Sequence, residues 1–336
     1  MMNYVIGLDL GTHYTRIWKP EEGIVLRCPT AAAIDSRTHH VVALGSEACR
    51  MIGKTPEHIL AYRPVADGLI TDFEVASRMV TGFFDAKRLC TLFRRPAVIV
   101  AAPYYLDQVH QLAVENAVLE AGARSVAIIP GIYAAAAGER LDVRSPRAHL
   151  ILSVGGGVAE AAVISSGNVI HAKTLRVAGD RLNMAIVSYL KNRYRLLIGE
   201  SAAEALKLKL GTADPKLDRG QMVVRGRNAI SKLAESRAVD ARDICEAMTP
   251  AIDAVARLAE SVVQEAPHEL ERELYGMGIM LTGGSALLPG LGKALSQKTG
   301  MRVVVSKNPQ DAVIQGLGRI ASHPELIGEP LTFRRR

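Results

Sequence analysis

Cysteine is scarce: four residues in 336, at Cys28, Cys49, Cys90 and Cys245, with no CxxC pair among them. That spacing argues against a disulfide framework or a cysteine zinc site and reads as buried, reduced thiols. Long hydrophobic runs are missing too. No stretch reaches about 18 apolar residues, so no transmembrane helix is expected. Aromatic residues are only 4% of the chain and no recognised nucleic-acid module is present, which argues against a nucleic-acid partner. Met1-Met2-Asn3-Tyr4 leads into the first apolar run without a signal-peptide pattern, so the expected compartment is the reducing cytoplasm. What is there is a globular composition, 49% hydrophobic and 22% charged, in a chain long enough for two or more domains with their own cores. The net charge of +7 favours an anionic partner such as a nucleotide or an acidic lipid surface.

Two apolar runs each end in a glycine turn that leads to a second strand. The first is Ile6-Gly7-Leu8-Asp9-Leu10-Gly11-Thr12 and the second Leu150-Ile151-Leu152-Ser153-Val154-Gly155-Gly156-Gly157. Such turns present backbone N–H groups to a phosphate, and their lack of Cβ atoms permits close approach to a polyanion. Three consecutive glycines weaken a strand unless something must come near. Aligned on the glycines, Asp9 stands opposite Ser153.

The patterns around both turns correspond. After the first come strands over 15–19, 24–27, 31–34 and 41–44. A doubly buried strand over 97–102, a helix over 107–121 stopped by Gly122, a strand over 126–129 and a small-residue helix over 132–138 follow. After the second come strands over 159–165 and 169–174, then helices over 181–193 and 201–210. A long helical region over 238–266, with a potential break at Pro250, precedes a strand over 278–282, a helix over 291–299 and a strand over 302–305. The recurrence predicts a duplicated α/β domain with the ligand in the cleft between the halves.

These segments resemble the MreB family of bacterial actin homologues over nearly the whole chain. Gly7–Thr12 resembles the first phosphate loop, and Gly45-Ser46-Glu47-Ala48 with Met51–Pro56 a segment of a small subdomain. Arg63–Phe73, Arg176–Asp180 and Leu197–Glu200 follow in the family's order, and Leu281–Leu288 resembles the adenosine loop. The resemblance implies an actin-like ATPase fold, two duplicated RNase H-like domains around a nucleotide cleft. Domain I would be 1–145 plus 310–336, with a small subdomain at about 30–72. Domain II would be 146–309, with a small subdomain at about 181–247.

The resemblance also implies ATP and Mg²⁺ as cofactors. Gly11, Thr12, His13, Gly155, Gly156, Gly157, Glu204, Lys207, Gly283, Gly284 and Ser285 would meet the nucleotide. Glu204 and Lys207 sit three apart on one helical face and read equally well as a solvated pair. Asp9 would orient water on the Mg²⁺, a hard ion that keeps several waters; its alternative is a turn-capping carboxylate. Asp67 and Asp72 read as structural as readily as catalytic.

The chain departs from the family where hydrolysis is concerned. The second phosphate loop of the family opens on aspartate and continues after its glycines with threonines. Here Ser153 replaces the aspartate, Val158 and Ala159 replace the threonines, and Glu160 is kept. The family's Glu-Glu-Pro after the strand at 126–129, whose first glutamate positions the attacking water, is replaced by Pro130 and Gly131. General-base assistance is commonly worth about 10²–10⁴-fold, so binding without efficient hydrolysis is the expectation, and no catalytic residue is assigned.

A second surface carries Leu92-Phe93 flanked by Lys87, Arg88, Arg94 and Arg95. The family places a membrane-inserting Leu-Phe loop at a similar position. An apolar pair among basic residues suits an acyl boundary beneath anionic head groups; packing into the core is the alternative. Arg334-Arg335-Arg336 either adds to that patch or forms a disordered tail. The expected whole is a filament of self-associating protomers, peripheral at the inner face of the membrane. Other MreB-type proteins and the membrane proteins of cell shape and wall synthesis would be its partners. The competing readings are an ATP-hydrolysing filament, a sugar-kinase relative and a non-polymerising actin-fold adaptor.

Overall fold

In the computed structural model, which describes residues 4–91 and 94–335, the elements follow one another in this order. The first part runs β1 (Val5–Leu10), β2 (Tyr14–Lys19), β3 (Gly23–Pro29), β4 (Ala32–Asp35), β5 (Val41–Leu44), α1 (Ser46–Met51), β6 (Ile59–Tyr62), β7 (Val65–Ala66), β8 (Leu69–Ile70) and α2 (Phe73–Ala86). It continues with β9 (Ala97–Ala102), α3 (Gln108–Glu120), β10 (Ser125–Pro130) and α4 (Gly131–Gly138). Then come β11 (His149–Val154), β12 (Ala159–Ser165), β13 (Asn168–Leu175), α5 (Gly179–Tyr194), β14 (Leu196–Leu197), α6 (Glu200–Leu210), β15 (Gln221–Asn228) and β16 (Ala234–Asp240). The chain ends with α7 (Ala241–Gln264), α8 (His268–Met277), β17 (Ile279–Thr282), α9 (Leu291–Thr299), β18 (Val303–Val305), α10 (Ala312–Ser322) and β19 (Arg334–Arg335).

The chain divides into two compact units. One comprises Met1–Ala148, Ile164–Ala172 and Gln310–Arg336; the other comprises His149–Val163 and Lys173–Pro309. The main sheet of the first has the order β19-β10-β9-β1-β2-β3, and that of the second β13-β12-β11-β17-β18. Leaving β19 aside, both sheets set a three-strand meander beside two later strands. Those later strands run parallel to the first strand of the meander.

In the first unit, alternation along β1 decides what faces what. Ile6, Leu8 and Leu10 point into a core with Met79, Phe83 and Phe84 of α2 and Val114 and Val118 of α3. The opposite face of the unit packs α4 against α10. That crossing is close enough for a Cβ on Gly316 to collide with the carbonyl oxygen of Ala134, and one on Gly138 with that of Ala312. Helix backbones approach this closely only where both sides lack side chains. A small sheet, β5-β4-β6, closes over Ala31, Ala33, Ala43 and Ala48.

One sequence expectation is corrected and two open alternatives are decided. The segment 238–240 belongs to strand β16, and α7 starts at Ala241. There Asp240 accepts from the Arg242 and Asp243 N–H groups and forms a reciprocal cap with Asp243, which fixes the start. Pro250 does not break α7. It lies on the exposed side, while the opposite side buries Ile244, Met248, Ile252, Val255, Ala259 and Val262. That burial outweighs a cost of about 3 kcal/mol for an internal proline. Finally, Arg334 and Arg335 form a strand antiparallel to β10, with Arg334 Nη1 2.8 Å from Glu115 Oε2, so this stretch is ordered rather than a loose tail.

Candidate nucleotide-binding site

The first glycine turn joins β1 to β2 at the carboxyl end of β1. Gly11 N–H donates to the Tyr14 carbonyl at 3.2 Å, and the Gly11 carbonyl accepts from the Thr30 hydroxyl at 2.7 Å. In a trans peptide the carbonyl and the following N–H point opposite ways. With the Gly11 carbonyl held on Thr30, the Thr12 N–H is directed away from it. The Thr12 hydroxyl accepts from Gly68 N–H at 3.1 Å, and the His13 carbonyl accepts from Thr30 N–H at 2.9 Å. Asp67 and Gly68, both at positive φ, form the tight turn between β7 and β8 that delivers this donor. Asp72 caps α2, accepting from Val75 N–H and the Tyr62 hydroxyl.

The second turn is oriented in the same manner. Gly155 N–H donates to the Val158 carbonyl at 2.9 Å. The Gly155 carbonyl accepts from Gly179 N–H at 3.2 Å and from the Ser285 hydroxyl at 2.8 Å; the Gly156 carbonyl accepts from Asp180 N–H at 2.8 Å. The described residues contain no cis peptide. The N–H groups of Gly156 and Gly157 therefore point away from the start of α5. Two successive amides facing one way make the concavity that suits an anion.

The 283–285 loop is held against this turn by backbone geometry. Gly283 has φ +87, and a Cβ there would run into Val154, 2.7 Å from its nitrogen. A Cβ on Gly284 would meet nothing within 4 Å, so that side of the loop is open. Glu204 and Lys207 on α6 lie near α5. Lys207 Nζ is 2.7 Å from Glu204 Oε2 and 3.0 Å from the Gly179 carbonyl, and Asn183 donates to Glu204 at 2.6 Å. Lys207 is largely buried, so the pair is built into the unit rather than free in solvent. The Asn183 carbonyl oxygen is buried without a hydrogen-bond partner, and such an atom favours a donor from a ligand or water.

The acidic positions read differently. Pro130 ends β10 and precedes α4. β10 and β1 both run parallel to β9, with Asp9 and Ile129 each level with Ala101. Pro130 and Gly131 therefore stand at the same carboxyl edge of the sheet as Asp9, the edge where α/β sheets bind ligands. Neither has a side chain able to hold a water. Ser153 lies level with Thr282 of β17, and Glu160 accepts from the Thr174 hydroxyl at 3.2 Å.

Asp9 is paired with a cation from its own sheet: Arg16 Nη1 lies 3.4 Å from Asp9 Oδ2 and Arg16 Nε 3.2 Å from Asp311 Oδ1. Burial pushes the Asp9 carboxyl above the usual carboxylate range, with Arg16 opposing. Burial acts the same way on Asp311, but Arg27 and Arg16 together hold it below that range. Each glycine turn, within its own unit, turns N–H groups outward in the way that suits an anion. Asp9 offers a metal's water shell a carboxylate already engaged by a guanidinium. Among the described residues, no group of three His, Cys, Asp or Glu gathers to hold a metal.

At the proposed membrane loop, Leu92 and Phe93 lie outside the described residues. Beside them, Thr91 and Arg94 exchange backbone hydrogen bonds. The Arg94 guanidinium sits 3.7 Å from the centroid of the Tyr4 ring, and Arg95 is exposed. No helix among the described residues is long and apolar enough to cross a membrane.

Two units with the same strand order, each ending its first strand in a glycine turn, define an actin-like fold. Solved structures agree. The chain is similar to MreB5 of Spiroplasma citri bound to ADP, with TM-score 0.90 and 27% identity over 96% of this chain and 97% of that one. The AMPPNP-bound form gives a TM-score of 0.91, with 27% identity over 97% and 98% of the two chains. The MamK double helical filament shares the fold at TM-score 0.77 and 16% identity, covering 96% and 99%. The MreB/Mbl protein family model matches residues 3–329. The cell shape-determining protein Mbl of Bacillus subtilis is 35% identical over 313 residues, 93% of this chain and 94% of Mbl. The chain belongs to the MreB/Mbl family.

Proposed function

We propose that this chain is a nucleotide-binding, filament-forming protein of the MreB type that acts in cell shape and wall growth. It would lie in the cytoplasm against the inner face of the membrane and hydrolyse ATP slowly or not at all. The observation that carries nucleotide binding is the orientation of the two glycine turns, with carbonyls tied back into the fold and N–H groups turned away. The ADP and AMPPNP held by MreB5 support the same reading. Gly156, Gly157 and Thr12 would donate to phosphate oxygens, the 283–285 loop would pass beside the adenosine, and Glu204 with Lys207 would meet the ribose and base. A divalent cation bound with the nucleotide would neutralise phosphate charge.

Weak hydrolysis rests on Pro130, Gly131 and Ser153. Phosphoryl transfer depends on positioning and electrostatics, and these residues supply neither an oriented water nor a negative charge. Self-association is supported by the double helical filament that MamK builds on the same fold. Membrane attachment rests on Leu92-Phe93 among four basic residues.

The test is electron microscopy of the purified chain with ATP on anionic liposomes, beside a phosphate-release trace. Filaments on lipid with little phosphate released are expected. Turnover at the rate of an ordinary bacterial actin overturns the weak-hydrolysis reading. Failure to sediment with ATP points to a non-polymerising adaptor. Liposome binding that survives replacement of Leu92 and Phe93 by polar residues overturns the membrane loop.

A further inference from the structure

The side chain two residues before the first glycine turn belongs to a row of charges laid across three strands. Asp9 of β1 is the register partner of Arg16 on β2, and Arg16 is the register partner of Arg27 on β3. Register partners share a sheet face, so the three side chains form one line. Asp311, at the start of α10, closes the row. It meets Arg16 Nε at 3.2 Å, and Arg27 through Nη2 at 2.7 Å and Nε at 3.1 Å. Acid and base thus alternate along a relay, Asp9–Arg16–Asp311–Arg27, whose formal charge sums to zero.

The relay is fixed. The Arg16 side chain is 12% exposed and those of Asp9 and Asp311 are 15% and 17% exposed, so water screens them weakly. A guanidinium stays protonated at every accessible pH, and its planar fork holds two acceptors at once. Tyr14 adds a ring 5.4 Å from the guanidinium carbon. Asp9 Oδ1 stands beside the turn, 3.7 Å from the position of a Gly11 Cβ. The carboxylate nearest the first turn is therefore already neutralised by the protein.

We propose that Arg16 supplies at Asp9 the positive charge that a divalent cation would otherwise supply, so that this chain binds nucleotide with little dependence on Mg²⁺. The inference rests on the nucleotide-binding reading above. A bare carboxylate at this turn would repel metal-free polyphosphate and attract a hydrated cation, and both effects make binding metal-dependent. A carboxylate paired with Arg16 does neither. It leaves the turn's N–H groups facing an environment without excess negative charge.

The experiment measures the dissociation constant of ribose-labelled fluorescent ATP for the full chain, in excess Mg²⁺ and in EDTA, at fixed ionic strength. For the unaltered chain the two values should agree within about tenfold, and for Arg16→Met the EDTA value should weaken to give a ratio of about 100-fold. Asp9→Asn, which removes the anion, should keep the small ratio. The charge-neutral double variant Arg16→Met with Asp9→Asn should also keep it, and stands in if the single Arg16 variant does not fold. Thermal melts identify the folded variants. A ratio above about 100-fold in the unaltered chain overturns the inference while leaving nucleotide binding intact. A ratio that Arg16→Met leaves unchanged, with both affinities lowered equally, shows a merely structural arginine and also overturns it. Absence of labelled-ATP binding under every condition overturns the nucleotide reading, and this inference with it.

Discussion

The two glycine turns occupy equivalent places in their units, each at the carboxyl end of the first strand of a meander flanked by two parallel strands. Their surroundings differ. The turn at 11–12 has an acidic neighbour, Asp9, bound to Arg16. The turn at 155–157 has Ser153 in the corresponding place and is fastened by Gly179, Asp180 and Ser285. Burial of alternating apolar residues holds both sheets to one topology. The polar residues at the strand ends are not constrained in that way. Duplication therefore preserves the framework, while the charge at each turn is set by local side chains.

Forcing the second turn apart should matter most. Gly283→Val adds a branched side chain at positive φ against the Val154 backbone, which has no flexible end to yield. It should cost more than about 3 kcal/mol in urea unfolding and abolish nucleotide binding. Introducing acids tests the proposed weak hydrolysis. Pro130→Glu combined with Ser153→Asp should raise phosphate release at least about tenfold in single-turnover assays, if a positioned carboxylate is what is missing. No increase would mean that the framework has lost more than the acids.

A smaller effect is expected at α6. Lys207→Met removes the contacts to Glu204 and to the Gly179 carbonyl and should weaken nucleotide binding about tenfold, as read by calorimetry. The smallest change concerns the relay. The depressed Asp311 carboxyl contributes stability that is present above the ordinary carboxylate range and lost as pH falls through the folded-state value. Asp311→Asn should therefore lower stability by about 1 kcal/mol at neutral pH and flatten the acid limb of a stability–pH profile. An unchanged acid limb would remove Asp311 from the account.

The framework was largely legible in the chain. The bounds of β9 follow from its apolar run, because a strand covered on both faces leaves little room for polar residues. The start of α7 was misplaced, although Asp240 and Asp243 already carried a capping signal three residues apart. The β15–β16 hairpin escaped notice. Its alternating exposed positions hold Val223, Arg225 and Arg227, a mixture with no clear apolar face. Glu204 and Lys207 were legible as a pair, but their burial against α5 was not, since Gly179 and Asn183 come from another helix.

By itself the sequence determined the alternation that builds two sheets, the positions of the glycine turns and the absence of a carboxylate at Pro130, Gly131 and Ser153. These are properties of short segments, read from period and residue type. Only the tertiary structure decided that Asp9 faces Arg16 and that Asp311, 295 positions from Arg16, completes the relay. Strand register and the docking of α10 bring those charges together, and electrostatic partnership depends on distance in space rather than separation along the chain.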